Sequence, residues 1–366
     1  MAVPDGTTWE AAPHTLAKHE ILKKYLQRWI PIILHSGYSG LIYFDGFCGP
    51  GVYAGGEPGS PIIALKVAQE FKGLHRDSNF LFCDVRRDRI ETLKDEIAKL
   101  GELPEGVQYQ ARAGSFEDKI SKIIAYRRQQ ESETFPTFAL IDPFGYSGIP
   151  LALIRELMAQ DSSECLISFM ADSLNRWLEH PEEGVTEHVA QTLGTENAAK
   201  IVLDTGMDRL GALRELYLAQ LQRFAKYCRY FEMRNADGRI LYYLFFISNN
   251  KTGFEKMKDA MWQADSSGNF RFSDSTDPDQ EVLFDNEVLW LPIAKRRIQE
   301  EFGGKPSVAA SKVRDFVLGE TIFLEKHANQ ALRALEDEGA IQPHRLKIDG
   351  SNRRKRSFPE GVLIDF

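Results

Sequence analysis

Cysteine is scarce in this chain. Its four residues, Cys48, Cys83, Cys165 and Cys228, lie far apart among apolar neighbours, which suits neither a disulfide framework nor a clustered zinc site. They read as buried thiols. No stretch approaches the ~18 consecutive apolar residues that a membrane span needs, and Met1-Ala2-Val3-Pro4-Asp5-Gly6 lacks the charged-then-apolar pattern of a secretion signal. A cytoplasmic protein is expected. Internal repeats and low-complexity tracts are missing, and 28 Gly with 16 Pro is an ordinary share, which argues against a fibre or wholesale disorder. Histidines are too scattered for a metal site: His14 and His19 are five apart and the other six are dispersed. No large excess of charge exists either, since 45 Lys and Arg face 53 Asp and Glu, a net charge of −8. That speaks against indiscriminate coating of nucleic acid but permits a local basic patch.

What the sequence does contain is alternation. From Thr15 to about Leu34, Leu22, Tyr25, Leu26, Trp29 and Ile33 recur at helical spacing, predicting an amphipathic lid helix with Lys18, Lys23, Lys24 and Arg28 largely off its apolar stripe. Strands are predicted at Leu41 to Phe44 and Phe80 to Cys83, both buried, and at Val107 to Ala111, Phe138 to Ile141 and Cys165 to Phe169, separated by helical patterns. Units of this length require parallel pairing with helices on both faces, an α/β fold. After a helical stretch from about Asn175 to Tyr227, Tyr230 to Arg234 and Ile240 to Ser248 flank an Asn-Ala-Asp-Gly-Arg turn, a hairpin signal.

Six acids and no base lie between Ser273 and Glu287, the best boundary in the chain. It divides a first domain, 1–275, from a second, 288–366. Helical patterns at about Val288 to Phe302, Ser307 to Leu318 and Phe323 to Glu338 precede a predicted hairpin of Ile341 to Ile348 and Arg353 to Phe358. Three helices and a hairpin outline a winged helix-turn-helix. Its wing carries Arg353, Arg354, Lys355 and Arg356, which would lie over a phosphate backbone, with a solvated loop as the plainer reading.

The strongest chemical signal is Tyr43-Phe44-Asp45-Gly46-Phe47-Cys48-Gly49-Pro50-Gly51. An acid ending the first strand is followed by glycines that let backbone approach a ligand, so a nucleoside-like cofactor fits there. This segment resembles the first motif of class I S-adenosylmethionine-dependent methyltransferases, matched by Asp45, Phe47, Cys48, Gly49 and Gly51. The resemblance implies a Rossmann-like methyltransferase sheet, with Gly49 and Gly51 against the methionine part of S-adenosylmethionine and Asp45 on its amino group. It places Asp84 on the ribose hydroxyls, and Ser115 and Phe116 near the adenine. Asp84 also reads as a helix cap, and Ser115-Phe116 as an ordinary turn.

Asp142-Pro143-Phe144-Gly145 stands where amino-methylating relatives carry Asp-Pro-Pro-(Tyr/Phe), so Asp142, Pro143 and Phe144 are the implied catalytic set, here without the second proline. An amino target is favoured, with hydroxyl as the other candidate, because no cysteine neighbours Asp142 for carbon methylation. A structural turn accounts for Asp142-Pro143 equally well. The insertion Val52 to Gly59 delays the next helix and is expected to weaken its dipole at the ligand.

Across residues 14–275 the chain is similar to the three-Cys-motif partner proteins, on His14-Thr15 and the helix after it, the Asp45 to Gly51 loop, Gly59-Ser60-Pro61, Ile141 to Gly145 and Lys256 to Trp262. That likeness implies a methyltransferase-like protein acting on DNA or RNA beside a three-cysteine-motif protein. The alternative is a non-catalytic adaptor that keeps the pocket and docks through its winged helix. A nicotinamide oxidoreductase is disfavoured, because Gly-x-Gly-x-x-Gly is missing after the first strand.

Overall fold

The computed structural model describes residues 6–71, 77–129, 135–144, 149–265, 270–274 and 286–366. Most of the acidic boundary segment, and Gly145 of the Asp142 motif, lie outside them. The chain separates into two compact units, one of residues 1–260 with 272–276, the other of 261–271 with 277–366.

In the first unit, α1 (Pro13–His35) precedes β1 (Gly40–Asp45), and α2 (Ser60–Glu70) leads to β2 (Asp77–Asp84). Then come α3 (Arg87–Ala98), β3 (Val107–Ala113), α4 (Phe116–Arg128), β4 (Thr137–Ile141), α5 (Leu151–Met158) and β5 (Ser163–Phe169). Four helices, α6 (Ala171–Trp177), α7 (Glu183–Leu193), α8 (Ala198–Asp204) and α9 (Arg209–Leu221), lead to the hairpin β6 (Tyr227–Arg234) and β7 (Ile240–Ser248). Helix α10 (Lys251–Ala264) and the short β8 (Arg271–Ser273) come last, their residues 261–264 and 271 falling in the second unit.

The eight strands run in the order β3-β2-β1-β4-β5-β7-β6-β8. Neighbours from β3 through β5 are parallel, and β7 is antiparallel to both β5 and β6. This is an α/β fold with a mostly parallel sheet. Strands β1 and β4 adjoin while their successors depart to opposite sides, so the chain reverses direction of travel between them. Open α/β sheets hold ligands at such a reversal, outside the carboxyl ends of the strands.

Burial explains the element types. Every residue of β1, β4 and β5 is buried, as continuous apolar runs in a doubly covered sheet require. Helix α1 buries Ile21, Leu22, Tyr25, Leu26 and Trp29; each such side chain contributes about 1.5–3 kcal/mol relative to exposure. Its middle and end are therefore anchored.

The second unit contains α11 (Asn286–Phe302), β9 (Val308–Ala309), α12 (Ala310–Glu320), α13 (Glu325–Asp337), β10 (Gln342–Pro343) and β11 (Leu363–Asp365). Its small sheet has the order β10-β11-β9, antiparallel throughout. The expected hairpin is corrected here: Gln342–Pro343 pairs with Leu363–Asp365, the central strand of the sheet, and Arg353 to Phe358 lie in the connection. A tight turn, Leu346 bridged to Asn352, uses the Asp-Gly signal locally. The basic run then bends back, because Glu336 of α13 accepts from Arg353 and from the Arg356 backbone.

Candidate functional site

The strand tips converge where β1 and β4 meet. Asp45, fully buried at the end of β1, accepts from Ser60 Oγ at 2.6 Å and from the Phe47 backbone at 3.3 Å. Burial raises its pKa to about 7, against the opposing bonds from Ser60 and Phe47. Asp84, at the end of β2, accepts from Gly49 N at 3.2 Å and Arg86 N at 2.8 Å, and its carboxylate lies 3.6 Å from Arg89 Nη1. The two carboxylates thus address one glycine loop. Gly49 and Gly51 have φ of 61° and 78°, backbone that side-chain-bearing residues rarely adopt.

The insertion after this loop behaves differently from the sequence expectation. Val52 bridges Pro58, and Gly59 N donates to Gly51 O at 2.7 Å, so the extra residues form a closed loop. Ser60, the first residue of α2, still reaches Asp45. The helix N-terminus therefore remains at the tip of β1.

Two expected residues are placed in supporting positions. Ser115 caps α4, its Oγ accepting from Asp118 N at 3.2 Å, a bond worth about 1 kcal/mol. Phe116 is 3% exposed and stacks on Phe47, with ring centres 5.5 Å apart. A Cβ on Gly46 would come within 2.4 Å of the Phe116 ring, so glycine there answers to packing.

What fills the crevice was not legible in the sequence. The Trp9 ring lies edge-on to Phe144 (4.9 Å) and Tyr53 (5.6 Å), while the Trp9 carbonyl accepts from Ala54 N. Arg89, 2% exposed, holds its guanidinium 4.8 Å from the Trp9 ring centre and 5.5 Å from that of Phe144, within cation–π range. The remaining space among Trp9, His19, the glycine loop, Asp142 and Phe144 is about 20 Å³, room for roughly one water molecule. Trp9 precedes every apolar pattern, and Arg89 sits in a helix that reads as ordinarily amphipathic, so neither carried a signal.

Beside this filled crevice lies a second polar cluster. Asp142, at the β4 tip, is bonded to Lys18 of α1. Burial works to raise the Asp142 pKa, but the charge and hydrogen bond of Lys18 outweigh it and hold the carboxyl below its usual value. His19 is driven down to about 3 by burial, then by Lys18. His14 donates its backbone N–H to Asp274 Oδ1 at 2.7 Å, and its ring Nδ1 lies 3.0 Å from Asp274 Oδ2. The Lys18 ammonium stands 5.4 Å from the Tyr242 ring centre, and the His14 ring 5.9 Å from it. Lys18 had read as a cation outside the apolar stripe; His14 to Lys18 spacing, one turn on one face, was the available clue.

The four wing cations are not equivalent. Arg353 pairs with Glu336 at 2.5 Å, its side chain 7% exposed, and Arg356 lies 3.4 Å from Asp337. Arg354 and Lys355 are exposed, with no ion pair among the described residues.

No family model and no curated protein matches the chain. Similar solved structures include WbdD with the kinase inhibitor LY294002, at 11% identity over 63% of this chain and 40% of that one (TM-score 0.32). Monomeric WbdD is matched at 12% identity, over 64% of this chain and 40% of its own (TM-score 0.29). Trm1 from Pyrococcus horikoshii with S-adenosyl-L-methionine is 14% identical over 100% of this chain and 93% of its own (TM-score 0.34). The chain spans 40% of either WbdD chain. At these values the likenesses carry no argument, and the functional reading is carried by the strand order and the strand-tip residues.

Proposed function

We propose that this chain is a class I methyltransferase-like protein that binds S-adenosylmethionine at the tips of β1 and β2. The observation that carries this reading is the placement of Asp45, bonded by Phe47 N and Ser60 Oγ, and Asp84, bonded by Gly49 N, on the one loop that follows β1 at the reversal of the sheet. Asp84 offers a carboxylate acceptor for ribose hydroxyls and Asp45 one for the amino group. The donor chemistry fits the cofactor, which when bound would supply an electrophilic methyl group. The volume does not fit while Trp9 and Arg89 fill the crevice, so binding requires the segment around Trp9 to withdraw. Titration calorimetry with S-adenosylhomocysteine tests this. Trp9→Ala should bind more tightly than wild type and Asp84→Ala should lose binding; no heat from either wild type or Trp9→Ala at high micromolar protein sinks the reading.

Nucleic acid is the acceptor we propose, on the helix–strand–helix–helix–strand–strand order of the second unit, read as a winged helix, and on its basic connection. Arg354 and Lys355 would contact phosphates. The double alanine variant should lower the salt slope of RNA or DNA binding by roughly one for each phosphate it no longer neutralises. The filled crevice favours a second reading, a non-catalytic adaptor whose own side chains complete the pocket. Co-purification with a three-cysteine-motif protein, unaffected by nuclease, together with silent calorimetry would establish that alternative.

A further inference from the structure

Three buried polar atoms under the start of α1 have no hydrogen-bond partner: His14 Nε2, His19 Nδ1 and Tyr242 OH. Their residues are 5%, 6% and 1% exposed. Buried polar atoms in folded proteins are nearly always paired, and each exception calls for an explanation: strain, an ordered water or ion, or a catalytic role. This cluster surrounds the Lys18–Asp142 pair beside the reversal point of the sheet, the place where open α/β sheets hold ligands.

Asp274 orients His14 from two sides. Its carboxylate takes the backbone N–H and faces ring Nδ1. A carboxylate only accepts, so Nδ1 carries a proton, and in the neutral ring Nε2 is the nitrogen that accepts. A helix-capping role would be complete with the backbone contact alone. It would not require an oriented imidazole whose other nitrogen is buried and bare. Asp274 lies 260 positions away in sequence, and the fold brings it to α1.

We propose that His14 is the proton acceptor of a substrate site under α1, oriented by Asp274, and that the group it deprotonates is a hydroxyl. The proton passes from the substrate O–H to Nε2, and the bonding pair stays on the oxygen. The Lys18 ammonium then stands near the developing negative charge. An amine acceptor is the poorer match. Nitrogen becomes positive as it is alkylated, an ammonium beside it opposes that charge, and the Asp142 carboxylate suited to holding an amine is already bonded to Lys18. The dyad is independent of the cofactor reading; the assignment of the hydroxyl as a methyl acceptor rests on it.

The test uses the full chain with 15N in its histidine rings. Wild-type His14 should show a protonated Nδ1 and a bare Nε2, and Asp274→Asn should mix the two tautomers. A proton on Nε2 in wild type, or an unchanged spectrum in Asp274→Asn, overturns the dyad. In a second arm, bulk RNA is incubated with S-adenosylmethionine carrying a labelled methyl group, and its nucleosides are separated by mass. Label should appear on ribose 2′-oxygen and fall on the order of a hundredfold in His14→Gln, with S-adenosylhomocysteine binding retained. Label on a base nitrogen, full activity in His14→Gln, or no label from a protein that binds S-adenosylhomocysteine each overturns the hydroxyl assignment. Absence of S-adenosylhomocysteine binding refutes the cofactor reading instead, and the tautomer then decides the dyad alone.

Discussion

The tips of β1 and β2 differ from the neighbouring tips of β4 and β7 in how completely their polar groups are answered. On the first side, Asp45 has Ser60 and Phe47, and Asp84 has Gly49, Arg86 and Arg89. Trp9 closes what remains. On the second, a charged pair is surrounded by His14, His19 and Tyr242 atoms that lack partners. Both rows sit at the same edge of one sheet, so topology does not distinguish them. The first row leaves the buried Tyr43 hydroxyl without a partner, whereas the second leaves three such atoms around a single ion pair, to be met by an incoming molecule or water.

The largest test of this contrast is Lys18→Met. It leaves the Asp142 carboxylate without its cation in a mostly buried setting, and loss of one partner of such a pair costs about 3 kcal/mol. Urea unfolding at pH 7 should register that loss. Because the Asp142 pKa is depressed in the folded chain, the pair stabilises above the ordinary carboxylate pKa and its contribution fades as pH falls through the lower folded value. Wild type and variant should therefore converge in acid. A constant difference down to low pH would break the comparison.

Asp45→Asn sharpens it from the other side. The Asp45 pKa, raised to about 7 by burial, means that the folded state holds a proton which the unfolded state releases near pH 4. Stability attributable to this group is full below the unfolded value and declines as pH rises toward about 7. The amide keeps an acceptor for Ser60 and has no such slope. It should raise stability at pH 7.5 by about 1–3 kcal/mol relative to wild type, with little gain at pH 4. Glu164, also raised to about 7 by burial, retains its own slope as an internal reference. Thermal melts across that range would show it.

The smallest stability effect is expected for Trp9→Ala. It loses aromatic contacts with Phe144 and Tyr53 and the stacking on Arg89, together about 1–2 kcal/mol. If the first row is held complete by this side chain, the Arg89 side chain should become mobile in the variant, visible as altered relaxation of its guanidinium resonances. An unchanged Arg89 would mean that Trp9 only overlies a closure made by other groups.

The sheet was readable in advance because short apolar runs of four or five residues, most ending in Asp or a turn and separated by helical patterns, have few other solutions. The glycine loop and both strand-tip acids were found the same way. The short β8 and β9 were missed, since two or three residues carry no period. The wing was misregistered because an Asp-Gly turn marks a local bend as clearly as a strand connection. Lys18, Arg89 and Trp9 escaped for a deeper reason: a buried charge and a displaced aromatic are defined by partners distant in sequence, and no local pattern records those partners.

The loop between Gly51 and Gly59 has a practical consequence. Its ends grip each other, while Gly55 and Gly56 at its tip are exposed. Doubling such a loop costs only about 0.6 kcal/mol in closure entropy. A fluorescent reporter could be spliced in between these two glycines with the Asp45–Ser60 register undisturbed, giving an optical handle a few residues from the crevice.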